Sequence, residues 1–366
     1  MNRVFSLLAK FDWLLFGSTC VLIAFGMAAI YSVALSTHSG DLSFIEKQGI
    51  ALGIGFVLVV GLAMSNYRLF RNWTFPLYVL SLLLLIGVLI FGVTINGTTG
   101  WFRLFGFSFQ PVEFVKVVLV LVLAKYFSEK ARRQFGWREV FGSGLIVAVP
   151  VVIVALQPDY GSALALLGLW IILLFFAGLK IKHVAVLVPM ALTVVLIAWF
   201  GIFTETQHAR FLTFIDPSRD PLGRGYNVTQ AIIAVGSGQF FGRGLGFGSQ
   251  SQLKFLPESQ TDFIFAVIAE ELGFVGILFI LAAFALLFYR FFKLVRSCRD
   301  DYTSYLLLGI MAVLFIQVVV NIGMNLGLLP VTGIGLPFVS YGGSSLLMTM
   351  VLLGFAESIA VRTSSA

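Results

Sequence analysis

The chain has 366 residues, 59% of them hydrophobic and 11% charged, with 38 phenylalanines and a mean hydropathy of +1.00. That composition excludes an ordinary water-soluble domain. The formal charge of +7 is divided among short segments between apolar runs, which fits membrane orientation and argues against nucleic acid as a partner.

Apolar runs long enough to cross about 30 Å of hydrocarbon as helices recur along the chain. They predict an all-α polytopic membrane protein, a single integral membrane domain over 1–366, with ten spans at roughly 12–34, 47–64, 75–93, 109–126, 141–156, 161–178, 184–203, 262–290, 304–326 and 341–360. Arg3 and Lys10 precede a first apolar stretch that is too long for a signal-peptide core, so it reads as a retained span. With both termini on the cytoplasmic side, sixteen Lys and Arg residues fall on inner segments and seven on outer ones, five of those seven in one long loop. That asymmetry supports this orientation.

Glu113 and Lys116 stand three residues apart in the fourth span and project from one side of it. Ions in a span are costly and usually meet a partner, so an ion pair and a catalytic role both remain open. The fifth and sixth spans are short and are separated by the turn sequence Gln157-Pro-Asp-Tyr-Gly161, which predicts a tight hairpin, partly re-entrant, with Asp159 at the outer surface as a cap or as part of a site.

One long outer loop follows, about 204–261, between the seventh and eighth spans. Asn227 to Val235 carries apolar residues at helical spacing and predicts an amphipathic interfacial helix. The glycine alternation from Gly242 to Gly248 lacks the Gly-Lys-Ser/Thr ending of a phosphate loop and reads as a flexible cover. Pro257 cannot continue a helix, while Ser259 or Thr261 can cap one, so Asp262 is expected in the first turn of the eighth span, at the water boundary. Glu270 and Glu271 then lie about 12 to 13 Å deeper, with Glu270 able to line a cavity and Glu271 structural. The segment from Leu329 to Ser345 packs two prolines and several glycines into an outer loop, expected to line the same cavity. Cys20 and Cys298 suggest no disulfide framework, and His38, His183 and His208 offer no zinc spacing.

Leu256-Pro-Glu-Ser-Gln-Thr-Asp-Phe-Ile-Phe-Ala-Val-Ile-Ala-Glu-Glu-Leu-Gly273 resembles the signature of the SEDS family, the membrane glycosyltransferases of bacterial wall synthesis that include RodA, FtsW and SpoVE. Gln110-Pro-Val-Glu-Phe-Val-Lys116, Gln157-Pro-Asp-Tyr-Gly161, the stretch from Gly225 to Gly238 and that from Leu329 to Ser345 are similar to further family motifs, in the family's order. Two positions depart from the pattern: Gly100 before Trp101, and Val112 where a serine is usual. Leu329-Pro-Val-Thr-Gly333, Asn227-Val-Thr-Gln230 and Ser249-Gln-Ser-Gln252 lean toward the elongation branch, closest to RodA.

The resemblance implies a peptidoglycan glycosyltransferase that polymerises lipid II with inversion, Asp262 acting as general base and polyprenyl diphosphate leaving. Arg103, Lys116, Arg210 and Arg243 are the candidate cations for the diphosphate, with a divalent cation, Mg or Mn, as a further candidate. Glu113, Asp159, Glu258, Ser340 and Tyr341 complete the substrate-binding candidates. The implied partners are lipid II and the nascent glycan strand, a class B penicillin-binding protein, the elongation machinery and membrane lipids, in the bacterial inner membrane. A lipid flippase or transporter, or a scaffold without chemistry, is the alternative.

Overall fold

The computed structural model describes residues 10–35, 42–95, 97–104, 107–130, 135–201, 208, 212–216, 220 and 223–363. Long apolar stretches in a medium without water must satisfy their own backbone groups, and a helix does this within one segment. The helices are α1 (Trp13–Leu35), α2 (Ser43–Met64), α3 (Leu69–Phe91), α4 (Pro111–Lys130), α5 (Trp137–Ala155), α6 (Tyr160–Phe176), α7 (Ile181–Gly201), α8 (Arg224–Ser237), α9 (Ser249–Gln252), α10 (Ile264–Ser297), α11 (Asp301–Asn325) and α12 (Gly343–Thr363). A helix stands at each of the ten expected span positions. Among the described residues seven, α1, α2, α3, α5, α10, α11 and α12, are long and apolar enough to cross a membrane. The apolar part of α7 and the 17 residues of α6 are shorter, and α4 carries Glu113, Lys116, Lys125, Glu129 and Lys130.

Charged contacts mark one end of the bundle. Arg290 on α10 donates through Nε and Nη2 to Asp12 just before α1, with Nη2 at 2.6 Å from Oδ2, and the Asp12 main-chain NH donates to Glu357 on α12 at 3.0 Å. Arg362 on α12 donates to the carbonyls of Ala63 and Met64, which end α2 without intrahelical partners. Arg68 pairs with Asp300 at 3.1 Å across the α2–α3 and α10–α11 turns. Between the ends the core is aliphatic and aromatic, from Leu15 and Leu22 on α1 through Leu119 and Leu123 on α4 to Leu353 and Phe355 on α12. Small residues let α2 and α12 close up: a Cβ on Gly354 would lie 3.0 Å from Leu62 and 3.2 Å from the Val59 Cα.

At the opposite end the chain forms a feature absent from the sequence reading, a three-stranded antiparallel sheet in the order β1 (Val93–Ile95), β2 (Thr98–Leu104), β3 (Phe107–Phe109). Thr94 faces Thr99, their hydroxyls 2.9 Å apart, and the main-chain NH of Thr99 donates to Gln157 in the α5–α6 turn. These strands are too short and too close to a glycine turn for a period-2 pattern to stand out.

The expected interfacial helix is α8, and it is packed as well as amphipathic. Its Ala231 and Ala234 are fully buried with Leu256, Phe263, Ala266 and Val267, so α8 rests on the start of α10. Helix α10 itself has 34 residues, about 51 Å at the helical rise, and breaks at Gly273, where φ is 65°.

Candidate active site

The site end of the bundle is built around two irregular segments that run side by side, 253–263 before α10 and 326–342 between α11 and α12. They are sewn together by main-chain and side-chain bonds. The Ser340 hydroxyl donates to the Thr261 carbonyl at 2.6 Å and accepts from the Leu336 NH at 2.7 Å, and the Tyr341 NH donates to the Gln260 carbonyl at 2.9 Å. Gln48 on α2 holds the far end, donating to the Ser340 carbonyl at 3.2 Å and accepting from the Gly342 NH at 3.2 Å.

Asp262 lies just before α10, which begins at Ile264, two residues later than the capping pattern predicts. The reason is local: the Thr261 hydroxyl donates to the carbonyl and carboxylate of Glu258 instead of capping the helix. The main-chain carbonyl of Asp262 accepts from Asn321 at 3.0 Å and Asn325 at 2.9 Å, both fully buried on α11. Its carboxylate points along the facing segment, with Oδ2 at 3.9 Å from the place a side chain would occupy on Gly333. Among the described residues no donor lies within hydrogen-bond distance of that carboxylate. Burial, and then the negative charge of Glu258, push the Asp262 carboxyl up to about 7. A carboxylate poised at neutral pH, without a hydrogen-bond donor of its own, is fitted to accept a proton.

A second polar group stands at the starts of α4 and α6. Lys116 donates to Glu113 at 2.7 Å, both on the first turns of α4 and nearly excluded from solvent. Asp159 caps α6, accepting from the Ser162 NH at 3.0 Å, and also accepts from Gln110 at 3.2 Å. Burial raises the Asp159 carboxyl, against the Ser162 bonds and the charge of Lys116 that favour its ionised form. Asp159 is therefore both a cap and a member of the Glu113–Lys116 cluster. A side chain on Gly161 would meet the Thr332 carbonyl, so α6 touches the loop one residue away from the Gly333 that borders Asp262.

The remaining candidates sit elsewhere. Glu258 is exposed beside Asp262. Tyr341 turns its ring edge-on to Phe44, 5.0 Å between centroids. Arg103 is exposed on β2 opposite Ser108, and Arg243 lies exposed across the α10 break, its NH donating to the Glu270 carbonyl at 3.0 Å. Arg210 lies outside the described residues. Glu270 lines no cavity: it accepts from Ser249, the Gln250 NH and the Ser251 NH, and so anchors α9. Glu271 is structural as expected, accepting from Ser32 on α1 and from Ser251. Among the described residues no group of three His, Cys, Asp or Glu side chains could hold a metal ion. A divalent cation at this site would therefore draw most of its ligands from a substrate diphosphate and water, as Mg commonly does.

Asn321 and Asn325 escaped the sequence reading. Their signal was present, two amides at i and i+4 in an apolar helix, but only the fold shows that both reach Asp262.

The model of the FtsW/RodA/SpoVE family, described as a cell cycle protein, matches residues 12–365. The chain belongs to this family. It is 37% identical over 347 residues to the peptidoglycan glycosyltransferase MrdB of Escherichia coli K12, covering 93% of this chain and 92% of that protein. Stage V sporulation protein E of Bacillus subtilis is 38% identical over 354 residues, covering 94% and 95%. Among solved structures, a chain from a peptidoglycan synthase complex that coordinates polymerization and crosslinking superposes with a TM-score of 0.82 at 34% identity, over 97% of this chain and 99% of that one. The rod shape determining protein RodA of Thermus thermophilus gives 0.71 at 32% identity, over 96% and 97%.

Proposed function

We propose that this chain is a peptidoglycan glycosyltransferase that polymerises lipid II into glycan strands during cell elongation, with Asp262 as general base. Family membership supports the reaction class. The observation that carries the mechanism is the Asp262 carboxylate, fixed through its own main chain, bare of donors among the described residues, and pushed up to about 7.

In this reading the 4-hydroxyl of the acceptor sugar attacks the anomeric carbon of the donor. Its proton passes to the Asp262 carboxylate as the new C–O bond forms. The bond from the anomeric carbon to the polyprenyl diphosphate breaks with the electron pair leaving on the diphosphate, and the configuration inverts in a single displacement. No covalent enzyme intermediate is needed. Lys116 and the arginines Arg103, Arg210 and Arg243 would meet the diphosphate charge. Glu113 and Asp159 would hold Lys116 in place, and Ser340 and Tyr341 shape the facing wall.

The reading places ten helices across the bacterial inner membrane, with α4, α6 and α7 joining the seven apolar ones, and the Asp12–Arg290 end with both termini in the cytoplasm. A class B penicillin-binding protein would work beside it on the outer face. Purified protein with such a partner should polymerise lipid II in detergent, and Asp262→Asn should stop polymer formation without lowering thermal stability or losing partner copurification. Polymer made at the normal rate by Asp262→Asn would remove the base from the mechanism.

A further inference from the structure

The segment between α8 and α9 was expected to be a flexible outer cover, but its backbone is threaded into the break of α10. Gly273 interrupts that helix, so the carbonyls of Glu270 and Glu271 and the NH groups of Phe274 and Val275 lose their helical partners. The loop replaces all four. Arg243 NH donates to the Glu270 carbonyl at 3.0 Å and Gly244 NH to the Glu271 carbonyl at 2.9 Å. In return Phe274 NH donates to the Gln239 carbonyl at 2.8 Å and Val275 NH to the Phe240 carbonyl at 3.1 Å. Glycine is required on both sides of the crossing, because a side chain on Gly242 or Gly273, both at positive φ, would collide with the opposite backbone.

Two rulers give the depth of this crossing. Along α10, Val275 is 15 residues from Arg290, about 22 Å at the helical rise, and Glu271 is about 28 Å from it. Along α1, Ser32 is 20 residues from Asp12, about 30 Å, and its hydroxyl accepts from the Gly246 NH at 3.0 Å. Asp12 and Arg290 pair at the charged end, so both rulers share an origin. Against a hydrocarbon thickness of about 30 Å, the loop enters near the far edge, dips several ångströms at Phe240 and Phe241, and returns to the edge by Gly246.

Its side chains match that depth. Phe240, Phe241 and Phe247 are 68%, 83% and 77% exposed. The Phe240 ring packs on Phe274 at 5.8 Å, and thereby extends the exposed apolar stripe that Phe274, Leu278 and Leu281 form on α10.

We propose that Gly238–Gly248 is a re-entrant membrane element whose phenylalanines face the acyl chains of the leaflet on the Asp262 side. The bond exchange with α10 makes this possible, since irregular backbone at such a depth persists only when its polar groups are satisfied by protein. The continuity of the stripe with a spanning helix identifies lipid as the occupant. The element thus ties the outer loop to the membrane at the helix that starts beside Asp262.

Spin labels test this without reference to catalysis. With Cys20 and Cys298 replaced by serine, single cysteines at Phe240, Phe241 and Phe247 are labelled in protein held in phospholipid nanodiscs without any partner. Reference labels go at Phe279 on α10 and at Arg68 in the charged α2–α3 turn. The expected result is that relaxation by dissolved oxygen exceeds relaxation by a water-soluble nickel chelate several-fold at positions 240 and 241, as at 279, with 247 intermediate and 68 reversed. Chelate-dominated relaxation at 240 and 241 would show a loop in water. Protection from both reagents would show a surface covered by protein. Either outcome overturns the proposal, and a label that disturbs the Phe240–Phe274 pair leaves 241 and 247 to decide.

Discussion

Asn325 bridges the two sides of the Asp262 turn: its Nδ2 donates to the Asp262 carbonyl at 2.9 Å, and its Oδ1 accepts from the Ala266 NH at 3.1 Å. One fully buried amide thereby sets the angle between the loop that carries Asp262 and the helix that follows. Asn321, a turn away on α11, repeats the first contact and adds a bond to the Ile334 carbonyl at 2.9 Å. The pair locks the Asp262 segment to the facing segment it must be aligned with.

Asn325→Leu should therefore damage catalysis through geometry. It leaves the Ala266 NH without an acceptor, at a cost of about 1–3 kcal/mol in stability, and frees the Asp262 main chain. The expected outcome is a fall in kcat of tenfold or more with a small change in KM for lipid II, read from initial polymerisation rates beside a thermal unfolding curve. Wild-type kcat at a lowered unfolding temperature would restrict Asn325 to a structural role.

The Asp262 carboxyl, pushed up to about 7, makes activity pH-dependent in a defined sense. A base works ionised, so kcat/KM should drop about tenfold per unit below pH 7 and level off above it. Glu258→Gln removes a negative charge that raises this value, and should move the acid limb to lower pH. Stability runs the opposite way. The folded value lies above the usual carboxylate range, so this group's stabilisation is present at low pH and is lost as pH rises through 7. Asp262→Asn should then raise the unfolding temperature at pH 8 and leave it nearly unchanged at pH 4.

The Glu113–Lys116 pair should respond asymmetrically to mutation. Both side chains are less than a tenth exposed, so Lys116→Met alone strands a buried carboxylate next to Asp159 and should cost about 3–5 kcal/mol. The double variant Glu113→Gln with Lys116→Met should recover much of that stability. If the pair also serves the reaction, the double variant folds and remains inactive, and unfolding curves beside polymerisation assays separate the two.

What this sequence determined alone is the part of the structure governed by single segments. A helix stands at each expected position, and among the described residues seven are long and apolar enough to cross a membrane, because that property depends on the length and polarity of one stretch. The motifs around Glu113, Asp159, Asp262 and Gly333 pointed to one end of the bundle, and the fold collects them there.

Tertiary structure decided everything that needs two segments at once. Helical spacing assigned Glu271 a structural place but left Glu270 able to line a cavity, and only the fold shows Glu270 anchoring α9 while Glu271 binds Ser32 on α1. The glycines from Gly242 onward read as flexibility and instead fill a helix break, since a backbone bond between distant residues leaves no mark in side-chain periodicity. The raised Asp262 carboxyl likewise comes from burial and from Glu258, a local electrostatic balance set only when the loop is folded over it.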